Sequence, residues 1–375
     1  MARAEYRKDK ITMELGRIVS EFAIDGTVVS IKEYGSGHIN TTYLVEMNQS
    51  GTVVKYILQR INTEIFKDAD QLMENITSVT EYLRQQIIKR GGDADRETLT
   101  VIPVKGGQSF FRDGDGSCYR MYRFITDATS YDVVKEPKDF YGSAVAFGNF
   151  QSLLADYPAD TLHETIPDFH NTGKRYQTFA QVLEADAYSR AAECEPEIAF
   201  VKERQQEMTV LTDMLARGQL PLRVTHNDTK LNNIMIDDAT GKGICVIDLD
   251  TVMPGLSLYD FGDSIRFGAN TAKEDEPDVS KVSLDLNLYE QYVRGYIEGC
   301  SGSLTDTELR MLPMGAKMMT LECGMRFLTD YLEGDVYFKI HQEKHNLIRC
   351  RTQFALVADM EKKWQEMEDI VRKYC

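Results

Sequence analysis

The stretch Val224-Thr-His-Asn-Asp-Thr-Lys-Leu-Asn-Asn-Ile-Met-Ile-Asp237, followed by Gly243-Ile-Cys-Val-Ile-Asp-Leu-Asp250, decides how the rest of the chain is read. Its first part has the form His-x-Asp-x-x-x-x-Asn, with His226, Asp228 and Asn233 in the fixed places. Its second part is an apolar strand, Ile244 to Ile247, that delivers Asp248 at its end. Phosphoryl transfer asks little covalent chemistry of a protein. It needs a carboxylate to orient and deprotonate the attacking hydroxyl, oxygen ligands for Mg²⁺, and cations on the phosphates. Asp228 fits the first requirement, Asn233 and Asp248 the second, and Lys230 the third. Mg²⁺ keeps waters and phosphate oxygens in its shell, so one Asp and one Asn suffice. Asp and Asn are also ordinary turn residues, so the reading rests on the joint pattern of loop and strand end.

These residues carry a resemblance. The wording is similar to the aminoglycoside phosphotransferase and choline kinase branch of the protein-kinase-like superfamily. Within it, His226-Asn-Asp-Thr-Lys-Leu-Asn-Asn233 and Val246-Ile-Asp-Leu-Asp-Thr-Val-Met-Pro-Gly-Leu-Ser-Leu-Tyr-Asp-Phe-Gly-Asp263 resemble N-acetylhexosamine 1-kinases. Similar wording runs from about Gly35 to Phe354. The family motif usually carries Gly where this chain has Asn227, a variation shared with that sugar-kinase subgroup. The resemblance implies a bilobal α+β fold, with a small antiparallel-sheet N-lobe and a larger, mainly helical C-lobe. It implies ATP and Mg²⁺, and a small-molecule sugar whose anomeric hydroxyl is phosphorylated. Asp260 matches an aspartate that braces the catalytic loop, and Asp248 is preferred to Asp260 as metal ligand although Asp260-Phe-Gly spells a kinase tripeptide. Asp250 shares the metal or accepts backbone hydrogen bonds. A kinase of an aminoglycoside or of choline, and a nucleotide-binding scaffold without catalysis, are the alternatives.

Length and composition agree with this frame. At 375 residues the chain exceeds one comfortable core, so two lobes are expected: residues 1–125 for nucleotide binding, and 126–375 for the catalytic loop and the acceptor. Hydrophobic residues at 42% and charged residues at 27% are those of a folded globular protein. A net charge of -16 argues against a broad nucleic-acid or anionic-membrane surface. The seven cysteines have no zinc-like spacing and fit reduced thiols. With a charged N-terminal segment and no long apolar run, a cytoplasmic protein without a membrane span is expected.

In chain order, Leu15, Ile18, Val19 and Phe22 predict an amphipathic helix over 11–22. Two strands follow around Gly35, Ser36 and Gly37, whose backbone N–H groups are placed to cradle phosphate oxygens; the same turn also serves an ordinary hairpin. The third strand, Val53 to Asn62, has no lysine where kinase-like proteins place a phosphate-contacting one. Alternation puts Gln59 and Arg60 on opposite faces, and charge favours Arg60. Leu72, Ile76, Val79 and Leu83 predict a helix over 68–86, with Glu74 on its other side as a candidate partner of the strand cation. Two further strands bring the small lobe to five, and Arg123 to Ile125 marks the hinge whose backbone would contact adenine.

Beyond residue 140 the pattern is helical, with one helix on Phe140, Ala144, Phe147, Phe150 and Leu154 and another over 198–216. The loop 166–176 between them is assigned to the acceptor side through the resemblance. Thr305-Asp-Thr-Glu308 is a capping box, Pro313 is placed to kink the helix it opens, and 352–374 reads as one closing helix. In the block 324–338, Arg326, Asp330 and Tyr337 are candidates for sugar hydroxyls. Phe267 joins them as a ring-stacking wall, and Asp330, Glu333 and Asp335 form an acidic cluster of the kind a cationic acceptor needs.

Overall fold

The computed structural model describes residues 13–35, 39–131 and 136–375. The chain divides into one unit running to Ala128, with Asp237–Ala239, and a second made of Thr129–Ile236 and Thr240–Cys375.

The first unit opens with helix α1 (residues 13–19). It continues with β1 (Thr27–Glu33), β2 (Thr41–Gln49), β3 (Thr52–Ile61), α2 (Ala69–Lys89), α3 (Ala94–Glu97), β4 (Val101–Ile102), β5 (Phe111–Arg112) and β6 (Cys118–Arg123). The sheet runs β1-β2-β3-β6-β4, with β5 also on β6, and every pairing is antiparallel. Six strands thus stand where five were expected, because the two-residue β5 hides between glycine-rich turns. Alternation decides which face is covered. Val45, Met47, Tyr56, Leu58, Tyr119 and Met121 point one way and pack with Leu15, Ile18, Val19 and Phe22. At about 1.5–3 kcal/mol per large apolar side chain buried, those four residues are enough to hold a helix of two turns against the sheet. The stripe Leu72, Ile76, Val79 and Leu83 of α2 is buried as its spacing requires, and Asp68 caps that helix by accepting from Asp70 N and Gln71 N, both at 3.0 Å.

The chain passes through β7 (Ala128–Thr129) into the second unit. This contains α4 (Pro137–Leu153), α5 (Thr172–Ala185), α6 (Glu195–Glu203), α7 (Val210–Ala216), β8 (Arg223–Thr225), β9 (Ile234–Asp237), β10 (Gly243–Val246) and β11 (Met253–Gly255). Then come α8 (Ser257–Gly268), α9 (Leu286–Cys300), α10 (Asp306–Leu332), α11 (His345–Lys362) and α12 (Trp364–Tyr374). The antiparallel-sheet first unit and the mainly helical second unit are the fold class the sequence implied. Helices α4 and α9 lie backbone to backbone: a Cβ on Gly148 would stand 2.5 Å from Tyr296 O, and one on Gly299 would stand 2.4 Å from Val145 O. Tyr292 and Tyr296 of α9 are fully buried, with Phe261 of α8 against both rings. Among the described residues no helix is long and apolar enough to cross a membrane.

Three helical expectations are corrected. Residues 198–216 are two helices rather than one, because Arg204 donates to Phe200 O (2.9 Å) and to Glu361, which terminates α6. The segment 166–176 is not wholly irregular, since α5 starts at Thr172 under the Asn171 side chain, which accepts from Lys174 N at 3.1 Å; Gly173 in the first turn masks the helix signal. The closing helix breaks at Lys363, whose ammonium reaches Ser283 Oγ (2.7 Å) and Leu284 O (2.8 Å). The Thr305 capping box forms with Glu308, and Pro313 lies buried inside α10.

Candidate functional site

The site grows from two short antiparallel pairs, β8 with β11 and β9 with β10. Val224 and Thr225 of β8 are buried, so the chain leaving that strand carries His226 to Asn233 at a fixed height. Asp260, fully buried in the first turn of α8, ties down the start of this loop. One of its oxygens accepts from His226 N (2.9 Å) and Gln151 Nε2 (2.8 Å), and the other from Asn227 N (2.8 Å). Burial pushes the Asp260 carboxyl up, and these donors with His226 only partly offset it. The bracing expected of Asp260 is therefore present.

His226 is a structural pin rather than a surface base. Its Nε2 lies 2.9 Å from Ile247 O, which can only accept, so Nε2 carries the proton and Nδ1 receives the Asp228 N–H at 3.3 Å. Phe147 and Phe150 meet the ring edge-on. Asn227 takes φ +64°, a left-handed conformation that Asn tolerates better than most residues. Thr229 N donates to Asp263 and Thr229 Oγ1 to Asp260 O, while Tyr292 Oη donates to Ser264 Oγ, which donates in turn to Thr229 O. The α9 core is thereby linked to the loop by hydrogen bonds.

With the loop held, three candidates meet. Lys230 Nζ is 2.7 Å from Asp228 Oδ1, and Asn233 Nδ2 donates to Asp228 Oδ2 (3.1 Å) and to Asp228 O (2.8 Å). Burial works against the Lys230 ammonium, but Asp228 and then Asp263 outweigh it and hold its pKa above the ordinary value. Burial pushes the Asp263 carboxyl up, yet Arg266 and Lys230 bring it below its usual range. Asn233 uses its amide N–H groups on Asp228, which leaves its carbonyl oxygen as a ligand atom, and its backbone carbonyl accepts from Ile247 N at 2.9 Å. Asp248 follows at φ +60° with an exposed side chain. An amide oxygen and one carboxylate are hard oxygen donors that fit Mg²⁺ shared with phosphates. Among the described residues no group of three or more His, Cys, Asp or Glu side chains forms a metal cage.

The other candidates are dispersed. Gly35 adopts φ +78°, whereas Ser36 and Gly37 lie outside the described residues. Arg60 is exposed on the α1 side of the sheet, two residues from buried Leu58, and donates to Ser117 Oγ at 2.8 Å. Glu74 is exposed on α2. Arg123 pairs with Asp95 at 3.3 Å and its N–H donates to Thr100 O, while Ile125 is buried. Arg326 lies over the rings of Phe169 (5.3 Å), Tyr337 (5.8 Å) and Phe338 (5.4 Å). Phe267 is 45% exposed. Asp330 is corrected: its buried carboxylate accepts from Val336 N, Tyr337 N, Phe338 N and Asn346 Nδ2, so it shapes the loop that presents Tyr337 and has no oxygen to spare for a sugar. Asp335 is likewise engaged, by Arg190 (2.6 Å) and Asn346 (2.8 Å), while Glu333, the third member of the expected acidic cluster, is exposed, its carboxyl pushed up by desolvation and by the Asp330 charge.

Two features escaped the sequence reading. Arg120 of β6 is 1% exposed, is the register partner of Gln59, and donates from Nε to Gln59 Oε1 at 2.9 Å. It therefore stands on the face opposite the α1 core, and its signal was a charge flanked by Tyr119 and Met121 in the middle of a strand. His170 Nδ1 lies 2.8 Å from Oε1 of fully buried Glu322, whose Oε2 accepts from Thr172 Oγ1 at 2.7 Å. No local signal announces that pair, because its members are 152 residues apart.

The buried carboxylates set the acid limit of the second unit. Burial pushes Asp263, Glu308 and Glu322 up, but Arg266, Arg223 and His170 respectively lead the groups that hold each below its ordinary 3.8 or 4.5. A depressed carboxyl adds stability that is present above the unfolded pKa and lost as pH falls through the folded one. Thermal melts should therefore show this contribution intact above about pH 5 and lost progressively below about pH 4. Glu308→Gln should flatten that loss.

Comparisons with known proteins bear on the family and the fold. The model of the phosphotransferase enzyme family matches residues 30–299. Among solved structures, the fold is similar to a microcompartment-associated aminopropanol kinase, with 16% identity, 95% of this chain and 98% of that chain covered, and a TM-score of 0.60. It is similar to a choline kinase from Cryptosporidium parvum Iowa II, with 14% identity, 96% and 97% coverage, and a TM-score of 0.57. It is also similar to a spectinomycin phosphotransferase solved with ADP and spectinomycin, with 12% identity, 95% and 98% coverage, and a TM-score of 0.56.

Proposed function

Because the chain belongs to the phosphotransferase enzyme family, we propose that it transfers the terminal phosphoryl group of ATP to the anomeric hydroxyl of an N-acetylhexosamine or a related hexose. The observation that carries the reading is the Asp228 carboxylate held between Lys230 and Asn233 in one braced loop. In this mechanism Asp228 receives the acceptor proton as the oxygen–phosphorus bond forms and the bond to the β-phosphate oxygen breaks. An anomeric hydroxyl is more acidic than an ordinary alcohol, so a strong base is not needed and positioning supplies much of the rate. Lys230 offsets charge on the moving phosphoryl group. Asn233 and Asp248 would hold Mg²⁺, which supplies charge neutralisation on the phosphate oxygens.

Arg120 takes the role expected of Arg60. A cation on the Gln59 face replaces the missing strand lysine from the adjacent strand, whereas Arg60 lies on the helix-covered face with Ser117. Arg120→Gln should raise the KM for ATP about tenfold or more, Arg120→Lys less, and Arg60→Gln by under about twofold in initial-rate assays.

A neutral acceptor is favoured over a polycation because Asp330 and Asp335 are already satisfied within the protein. Arg326 with the Phe169, Tyr337 and Phe338 rings offers the mixed donor and aromatic surface that suits a sugar. The test is an ATP-consumption screen with Mg²⁺ over hexoses, N-acetylhexosamines, choline and aminoglycosides. Turnover confined to sugars, with an acid-labile and alkali-stable phosphate, is the expected result. Turnover confined to amines would overturn the sugar assignment, and ATP binding without turnover on any acceptor would favour a scaffold.

A further inference from the structure

Helix α8 presents three residues of one turn to the catalytic loop: Asp260, Asp263 and Ser264 stand three and four positions apart and so share a face. Between them they hold every polar group of Thr229, the buried residue that separates Asp228 from Lys230. Thr229 N donates to Asp263 Oδ2 at 3.1 Å, Thr229 Oγ1 donates to Asp260 O at 2.7 Å, and Thr229 O accepts from Ser264 Oγ at 2.9 Å. A residue bonded through its N–H, its C=O and its hydroxyl cannot rotate, so the chain on either side leaves it in a set direction. The other oxygen of Asp263 accepts from Nε (3.1 Å) and Nη2 (2.8 Å) of Arg266, whose Nη1 donates to Glu274 at 2.8 Å. Asp263 is therefore a buried charge with no freedom of its own.

Asp260 braces the loop before Asp228, and Asp263 grips it just after. Among the described residues Lys230 touches one carboxylate, that of Asp228 at 2.7 Å, and this is the group that accepts a proton in the proposed transfer. Once Asp228 is protonated the contact pair loses its negative member, and the ammonium is left to a second anchor. Asp263 is the next carboxylate to act on Lys230, and it acts more strongly than Arg266 opposes it. A lysine carries its charge on a flexible four-carbon stem, and this one is 36% exposed, so a fixed neighbouring charge is what keeps its head at the loop. We infer that Asp263 is a positioning residue for Lys230, fixing its backbone through Thr229 and holding its ammonium at the loop while the phosphoryl group moves. A charge fixed beforehand in this way needs no rearrangement at the moment of reaction. The inference rests on the phosphoryl-transfer reading and is independent of which acceptor is used.

The test is a double-mutant cycle on kcat, run with ATP, Mg²⁺ and the best acceptor of the screen above. Lys230→Met should lower kcat by about 10²-fold. Asp263→Asn should lower kcat by about tenfold in the wild-type chain, with the acceptor KM changed less than about threefold, and by less than about twofold in the Lys230→Met chain. Removing one member of a buried ion pair also costs stability. The cycle is therefore repeated with Asp263→Asn joined to Arg266→Gln, which leaves no buried charge unpaired, and every assay is kept below the midpoint of the thermal melt. This second cycle should show the same dependence on Lys230, because a positioning effect vanishes with the residue it acts on and a structural one does not. Equal losses with and without Lys230, or a loss confined to the acceptor KM, would overturn the inference and leave phosphoryl transfer standing. An unchanged kcat in Lys230→Met also overturns it, while Asp228→Asn still tests the phosphoryl-transfer reading by itself. ATP binding without turnover on any acceptor overturns both.

Discussion

Asp228→Asn should lower kcat by about 10³-fold in the ATP-and-sugar assay while leaving the melting temperature close to that of the wild type. The two halves of that expectation have separate origins. An Asn is nearly the same size and still accepts from Asn233 Nδ2, so the loop keeps its shape. The ion pair to Lys230 is lost, but both side chains are partly exposed, at 36% and 28%. A pair of that kind contributes about 1 kcal/mol or less. What disappears is the group proposed to take the acceptor proton, and general-base catalysis with positioning is worth about 10²–10⁴ in rate. Sugar binding measured by calorimetry should change little. A variant retaining more than about a tenth of the wild-type kcat would remove Asp228 from the catalytic role.

Asp260→Ala should do the reverse, acting first on stability. The carboxylate is 1% exposed and accepts from His226 N, Asn227 N and Gln151 Nε2. Its removal leaves the His226 and Asn227 backbone N–H groups buried without acceptors and Gln151 Nε2 with Val224 O alone (2.9 Å). Each such group costs about 1–3 kcal/mol, so a loss of about 3 kcal/mol or more is expected. The transition of the second unit should then fall by roughly 5–10 °C in a thermal melt. Below the new melting temperature kcat should still be down by about 10²-fold, because a loop released by an ångström no longer aligns its carboxylate with the acceptor. A melt unchanged from wild type would show that the loop is held by something else. Comparing the two variants separates the chemistry of the loop from its support.

Much of the loop was legible beforehand because its residues are close in sequence. Asp228, Lys230 and Asn233 lie within six positions, so any tight loop brings them near one another, and the contact among them follows. The same holds for the buried stripes of α1 and α2, whose spacing records the side that faces the core. Asp330 was misread for the opposite reason. A carboxylate in a polar block looks available until the backbone N–H groups of 336–338 turn back upon it. Arg60 and Arg120 show the limit of strand alternation, which separates two faces but does not tell which one a helix covers. That was decided by where α1 docks and by the register that sets Arg120 beside Gln59.

The amino-acid sequence by itself determined the family and the order of sheet and helices, since these depend on local spacing and on side-chain periodicity. Only the tertiary structure decided which charges are available. The Asp260 brace, the engagement of Asp330 and Asp335 and the pairing of His170 with Glu322 depend on contacts between residues not adjacent in sequence. The physical reason is that a buried polar group must find a partner wherever folding supplies one, and sequence distance carries no record of which partner that is.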